Sequence, residues 1–199
     1  MVDKYGTGDD PYTYPDSNVL TNLFEIMDAQ VLEEAEKEFT VLAAAEISYK
    51  EPPYDFEYFC NLHKLLFGEL FSWAGEVRSI DISKGDTRFC SCSFIEKEAN
   101  KLFKNLAAEN YLADTEYDDF IAKLAEYYCD INVLHPFREG NGRTQRMLFE
   151  HICINSGYNI NFAGVSVDEW ISANISGFHC DYTEMESILK RCVSLAATF

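Results

Sequence analysis

Apolar residues recur at helical spacing along most of the chain, and the places where that period stops divide it into elements. After a turn-rich start from Gly6 to Pro15, the residues Leu20, Leu23, Phe24, Met27, Val31, Ala35, Phe39 and Leu42 follow at mostly three- and four-residue steps. One long amphipathic helix is therefore expected, capped at Asp16 or Ser17 and broken by Pro52-Pro53. Asp55 can cap a second helix carrying Phe56, Phe59, Leu62, Leu66 and Leu70, closed by Trp73-Ala74-Gly75. Between Glu76 and Cys90 the period changes. Val77, Ile80 and Ile82 lead into a Lys84-Gly85-Asp86-Thr87 turn and then Phe89, which predicts a short β-hairpin and the one strand-like stretch of the chain. Ser93-Phe94-Ile95-Glu96 and Thr115-Glu116-Tyr117-Asp118 are spaced like capping boxes, the second opening a helix to about Leu134. A further helix from about Asn141 to Ser156 should end at Gly157, and Ser166-Val167-Asp168-Glu169 and Asp181 start two more. The expected fold is mostly α: a helical bundle with one small hairpin, in a single domain spanning residues 1–199.

Composition narrows the function. The chain is 47% hydrophobic with only 10 glycines and 5 prolines, which suits a packed core. Its 34 acidic against 16 basic residues give a formal charge of −18, a field that repels phosphate backbones and anionic membranes, so neither nucleic acid nor a membrane is an expected direct partner. Seven cysteines without a C-x-x-C pair read as small reduced core residues rather than a disulfide framework or a zinc site. No apolar run reaches the ~18 residues that span a bilayer, and the first residues lack the basic and apolar regions of a signal peptide, so a cytoplasmic location is expected.

One segment reverses the local charge. From Arg138 to Arg146 three arginines meet one glutamate beside Gly140-Asn141-Gly142, directly before a helix. Glycines let main-chain N–H groups converge, and a helix start adds the positive end of its dipole, which together make a seat for phosphate. Arg143 and Arg146 lie three apart on one helix face, where both can reach one polyphosphate. Glu139 brings a carboxylate suited to Mg²⁺, and His135 stands close enough to take a proton.

The string from His135 to Arg146 resembles the signature of the Fic family, H-x-F-x-[DE]-G-N-G-R-x-x-R, at every specified position. The resemblance extends over about residues 5–195: Leu62-His63 through Trp73-Ala74-Gly75, then Arg78 and Ile80 to Phe89, look like the helix and the hairpin "flap", about residues 76–90, that precede the motif in that family. It implies transfer of AMP from ATP to a protein hydroxyl. In that reading His135 is the general base, Glu139 the Mg²⁺ ligand, and Gly140, Asn141 and Gly142 the anion hole. Arg143 and Arg146 hold the outer phosphates, and Phe137 anchors the loop. Lys84 and Gly85 are assigned to the nucleotide, and Ile82, Ser83, Asp86 and Thr87 to docking of the target segment by β-augmentation. His63, on an apolar helix face, is expected to be structural.

Many Fic proteins carry a restraining helix with [ST]-x-x-x-E-[GN]. Neither Glu139-Gly140 nor Glu109-Asn110 has Ser or Thr four residues earlier, so no such helix is found. The resemblance then implies a stand-alone class I toxin restrained at Arg146 by a small separate antitoxin. Its target would bear a Tyr, Ser or Thr hydroxyl, a type II topoisomerase subunit being one candidate. Transfer of another nucleotide, of phosphocholine or of phosphate, and a non-catalytic interaction module, are the alternatives.

Overall fold

The computed structural model describes residues 4–5, 10–85 and 87–196. Seven helices form among them: α1 (Ala29–Glu46), α2 (Phe56–Phe67), α3 (Ile95–Ala108), α4 (Tyr117–Leu134), α5 (Asn141–Asn155), α6 (Val167–Phe178) and α7 (Thr183–Cys192). Helix α4 is central because apolar residues occupy more than one of its faces. Phe120, Ile121, Leu124, Tyr128, Ile131 and Leu134 are all buried, and α3, α5, α6 and α7 pack around it. Burial on this scale, not intrinsic propensity, is what stabilises such helices. A second, smaller apolar cluster joins Leu32 of α1 to Leu66, Phe67, Leu70, Phe71 and Trp73, so α2 links the two cores, with Phe56, Phe59 and Leu62 in the first and Leu66 and Phe67 in the second.

The expected long first helix is shorter in the structure, beginning behind Asp28, whose carboxylate accepts from the Gln30 and Val31 N–H groups. Asn22 explains why. Its side chain accepts from Phe24 N–H and Ile26 N–H and donates to the Leu20 and Ile26 carbonyls, which takes the main-chain groups a helix would need. The inward face of α1 also differs from the apolar pattern. Leu32 and Thr40 are buried with Glu36 beside them, whereas Val31, Val41 and Leu42 are exposed.

Asp55 caps α2 as the spacing predicts, its carboxylate accepting from Tyr58 N–H, but the helix stops at Phe67 and successive turns carry the chain to Gly75. Neither of the first two capping boxes forms. Before α3 a single 3₁₀ turn, Cys92–Phe94, intervenes, because Asp81 reaches across and accepts from Cys92 N–H and Ser91 Oγ. Before α4 the cap position falls on Glu116, one residue beyond Thr115. The box at Ser166 and Glu169 is present on both sides, and Gly157 follows α5 with φ 79.

Strands β2 (Ser83–Lys84) and β3 (Thr87–Arg88) form the expected hairpin, with Ser83 opposite Arg88 and Lys84 opposite Thr87. It is not the only strand pairing. The chain start, β1 (Lys4–Tyr5), runs antiparallel to β2, and β4 (Tyr158–Ile160) pairs antiparallel with β5 (Val193–Leu195) beside α5 and α7. Three-residue strands are too short to show a period of two in sequence. No helix among the described residues is long and apolar enough to cross a membrane.

Candidate active site

Helix α4 ends at Leu134, and His135 follows as its C-cap in the left-handed region, with φ 42 and ψ 58. A non-glycine residue holds that conformation only with support. Here the main-chain N–H of His135 donates to the Ile131 carbonyl, and its own carbonyl accepts from Arg78 Nε at 2.8 Å. The ring turns back over the helix end, with Nδ1 3.0 Å from the Asn132 carbonyl and one face against Phe89, centroids 3.8 Å apart. A carbonyl only accepts, so in the neutral ring Nδ1 carries the proton and the basic lone pair is on Nε2.

The loop to α5 is held from below by α2. Phe137 is fully buried and stacks on His63 at 3.9 Å. His63 accepts from Gly75 N–H at Nδ1 and meets the Glu139 carbonyl with Nε2 at 2.9 Å, the hydrogen-bonded structural histidine that its setting on the apolar face predicts. Burial pushes its pKa down to about 4, so the ring is neutral and Nε2 donates. Asn141 ties the loop's ends, Oδ1 accepting from Phe137 N–H at 2.9 Å and Nδ2 donating to the Phe137 carbonyl at 2.7 Å. Its side chain is thus committed to the loop, which leaves its main chain for the expected phosphate contact.

Gly140 opens α5 at φ 80, and a Cβ there would lie 2.4 Å from Phe67 Cζ. Conformation and space both require glycine. Its N–H donates to Glu139 Oε1 at 3.0 Å, so this amide of the expected trio meets the Glu139 carboxylate and holds it at the loop. The N–H groups of Arg143 and Thr144 bond back to the Gly140 carbonyl. Those of Asn141 and Gly142 precede any turn that could accept from them, so they are the amides left for the expected anion seat at the positive end of the helix. A Cβ on Gly142 would meet only Arg146 Nη1, at 3.8 Å, so this glycine leaves open space over the seat.

Of the three arginines, Arg138 does not join the site. It is buried, and its Nε and Nη2 donate to Asp10 Oδ2 at 2.8 and 2.7 Å. Arg143 lies over the Phe67 ring, 4.7 Å from its centre, donates to Thr40 Oγ1 and pairs with the Glu36 carboxylate. Arg146 folds back toward Gly142. Both arginines line a pocket of about 380 Å³ between α5, Thr40, Val41 and Ala44 of α1, and residues 160–163. Glu36 and Thr40 were not legible as site residues, since no motif marks them and the apolar pattern turns α1 differently.

The hairpin stands over His135. Phe89 supplies the stacked ring, and Ile82, expected at the docking surface, is 1% exposed with its carbonyl accepting from Phe89 N–H. Its side chain is therefore core. Ser83 pairs with both β1 and β3, so β2 is the inner strand of this sheet, and β1 and β3, the latter with Thr87, are its edges. Lys84 is exposed, and a Cβ on Gly85 would meet nothing within 4 Å, so the tip projects into open space. Asp86 lies outside the described residues.

A family model described as "Fic/DOC family" matches residues 53–153, which include α4 and the whole loop from His135 to Arg146. The chain belongs to the Fic/DOC family. Two Fic relatives share almost its full length: the proteins named "Probable protein adenylyltransferase Fic" of Salmonella typhimurium and Escherichia coli are each 42% identical over 196 residues, 98% of this chain and 98% of theirs. Among solved structures, the N-terminal Fic domain of a VirB-translocated Bep effector protein from Bartonella quintana, with bound ADP, matches with a TM-score of 0.84 at 28% identity, covering 93% of this chain and 95% of that one. In this Fic domain the fold brings His135, Glu139, Asn141, Gly142, Arg143 and Arg146 around one helix start, and adds Phe89 and Arg78 from the hairpin and its root.

Proposed function

We propose that this protein is an adenylyltransferase that moves AMP from ATP to a hydroxyl side chain of another protein. The observation that carries this reading is the pairing, within one loop, of a histidine whose Nδ1 is tied to the Asn132 carbonyl with a glycine-opened helix start. One is a base of defined tautomer, the other a seat for phosphate.

In the reaction, Nε2 of His135 takes the proton of the incoming hydroxyl as its oxygen attacks the α-phosphorus in line. The bond from that phosphorus to the bridging oxygen breaks and pyrophosphate leaves. The Asn141 and Gly142 amides and the start of α5 hold the phosphates, and Arg143 and Arg146 meet the outer ones. Lys84 and Gly85 at the hairpin tip add a cation and a flexible turn toward the nucleotide. Glu139 suits Mg²⁺: its carboxylate is fixed by the Gly140 N–H at the mouth of the seat, and no cluster of three or more ligating side chains competes among the described residues. One protein carboxylate with phosphates and water completes the usual Mg²⁺ shell, and the bound ion would neutralise charge on the phosphates.

The target segment would add to the open β3 edge at Thr87, placing its hydroxyl near His135. The pocket beside Arg146, walled by α1 and residues 160–163, has the apolar lining and the cation that an amphipathic antitoxin helix with one acidic residue would meet. All seven cysteines are unpaired, which suits the reducing cytoplasm. A type II topoisomerase subunit is the target to try first.

Lysate incubated with Mg²⁺ and ATP labelled at the α or the γ position separates the readings. α-Label on protein, absent with His135→Ala, supports AMP transfer, while γ-label makes the enzyme a kinase. No label from either isotope sinks both and turns attention to another donor.

A further inference from the structure

Arg78 is 2% exposed, yet its guanidinium donates to four main-chain carbonyls. Nη1 donates to Ile80 O and Nη2 to Cys90 O, each at 2.5 Å, so the fork spans both legs of the hairpin root. Nε donates to His135 O at 2.8 Å and Nη2 also lies 3.4 Å from Leu134 O. The main chain repeats the link, with Arg78 N–H donating to Pro136 O and Cys90 N–H to Val133 O. One rigid, planar cation thus binds the hairpin to the C-terminal carbonyls of α4 at the residue that carries the base.

Burying a cation among carbonyls costs free energy that a packed aliphatic chain would not. Burial accordingly depresses the pKa of Arg78, with Asp81 the first of the groups opposing that shift. Three features make the cost intelligible. His135 needs an anchor for its left-handed backbone, and its carbonyl is where Arg78 grips. The Nδ1 contact to Asn132 depends on that backbone. Phe89, which covers the imidazole, directly precedes Cys90, whose carbonyl is held by the same guanidinium. Only an arginine fork reaches all of these acceptors from one point.

We propose that Arg78 is the positioning residue of the reaction: it fixes the distance and orientation between His135 and the hairpin that presents the target, and takes no part in holding ATP. The proposal rests on the adenylyltransferase reading for its kinetic consequence. The hydrogen bonds of Arg78 go to the hairpin root, the end of α4 and Pro136 rather than to the start of α5, so nucleotide binding and chemistry should separate.

The test compares wild type, Arg78→Lys and Arg78→Ala. Lysine keeps the charge and most of the volume but cannot span both groups of carbonyls. Expected for Arg78→Lys is a Mg-ATP dissociation constant within threefold of wild type and a kcat for AMP transfer at least 30-fold lower, with guanidinium ion restoring part of the loss in Arg78→Ala. A change in ATP binding as large as the change in kcat would overturn the proposal. A readout independent of activity is the ¹⁵N spectrum of the His135 ring, assigned by its absence in His135→Ala. Wild type should show Nδ1 protonated, and Arg78→Lys a mixture of tautomers. An unchanged ring in Arg78→Lys would refute the positioning role even if the protein transferred a group other than AMP. If Arg78→Ala does not fold, the Lys variant and the ring spectrum still decide.

Discussion

The imidazole of His135 lies flat on the phenyl ring of Phe89, centroids 3.8 Å apart and planes 14° from parallel. A residue of the hairpin therefore forms part of the wall around His135, so in the proposed reaction docking of a target and placement of the base share one contact. Stacking is worth about 1 kcal/mol, but misplacing a reacting group by about 1 Å can cost ~100-fold in rate. Phe89→Ala should lower kcat about 10- to 100-fold and leave Mg-ATP affinity within twofold. Isothermal titration beside initial rates checks this, and a parallel loss of ATP affinity would show that Phe89 supports the phosphate seat instead.

Two glycines in the motif should fail in opposite ways. Gly140→Ala forces a left-handed alanine into the Phe67 ring, so about 3 kcal/mol of stability should disappear, or roughly 10 °C in Tm. Gly142→Ala meets only the end of Arg146 and sits in a helix, where alanine is favoured by up to about 1 kcal/mol. Its Tm should hold or rise while Mg-ATP binding weakens at least about tenfold, because the methyl group occupies the space over the seat. Melting curves and titrations on both variants distinguish the roles, and a destabilised Gly142→Ala would show that its glycine serves the fold.

Glu36 holds Arg143 through an ion pair that is partly open to water, 29% exposed on the arginine side and 14% on the other. A carboxylate on the arginine assigned to phosphate competes with the ligand for the same donors. Glu36→Gln keeps the shape and removes the charge, so Mg-ATP should bind about fivefold tighter, the scale of ~1 kcal/mol for such a pair. Weaker binding in the variant would mean that Glu36 serves chiefly to aim Arg143.

His63 makes the loop acid-sensitive. Its folded pKa is pushed down to about 4 by burial, against 6.5 for an exposed ring. Between those values the unfolded chain binds more protons than the folded one, so stability falls as pH drops from 6.5 toward 4 and is unaffected by this group above it. The total is about 3 kcal/mol. Urea midpoints measured from pH 7.5 to 4.5 should show that slope in wild type and lose it in His63→Gln, which is less stable at pH 7. Parallel pH slopes in the two proteins would assign the acid response to other groups.

The sequence alone identified the helical class, the hairpin, the cap at Asp55, the stop at Gly157 and the glycine-opened start of α5 after His135, because each rests on local chemistry: spacing on one helix, glycine where φ is positive, a side chain capping its own turn. The extent of α1 was not legible. Asn22 diverts the main chain there through bonds that outweigh a helical apolar period, and the inward turn of Glu36 and Thr40 follows from their bonds to Arg143, which itself lies over Phe67. The pairing of Arg138 with Asp10 joins residues 128 positions apart, and that of Arg78 with His135 residues 57 apart. Composition and spacing within a window cannot report such pairs. Only the folded chain brings them within bonding distance, since burial leaves each guanidinium no water and the nearest carboxylate or carbonyl becomes its partner.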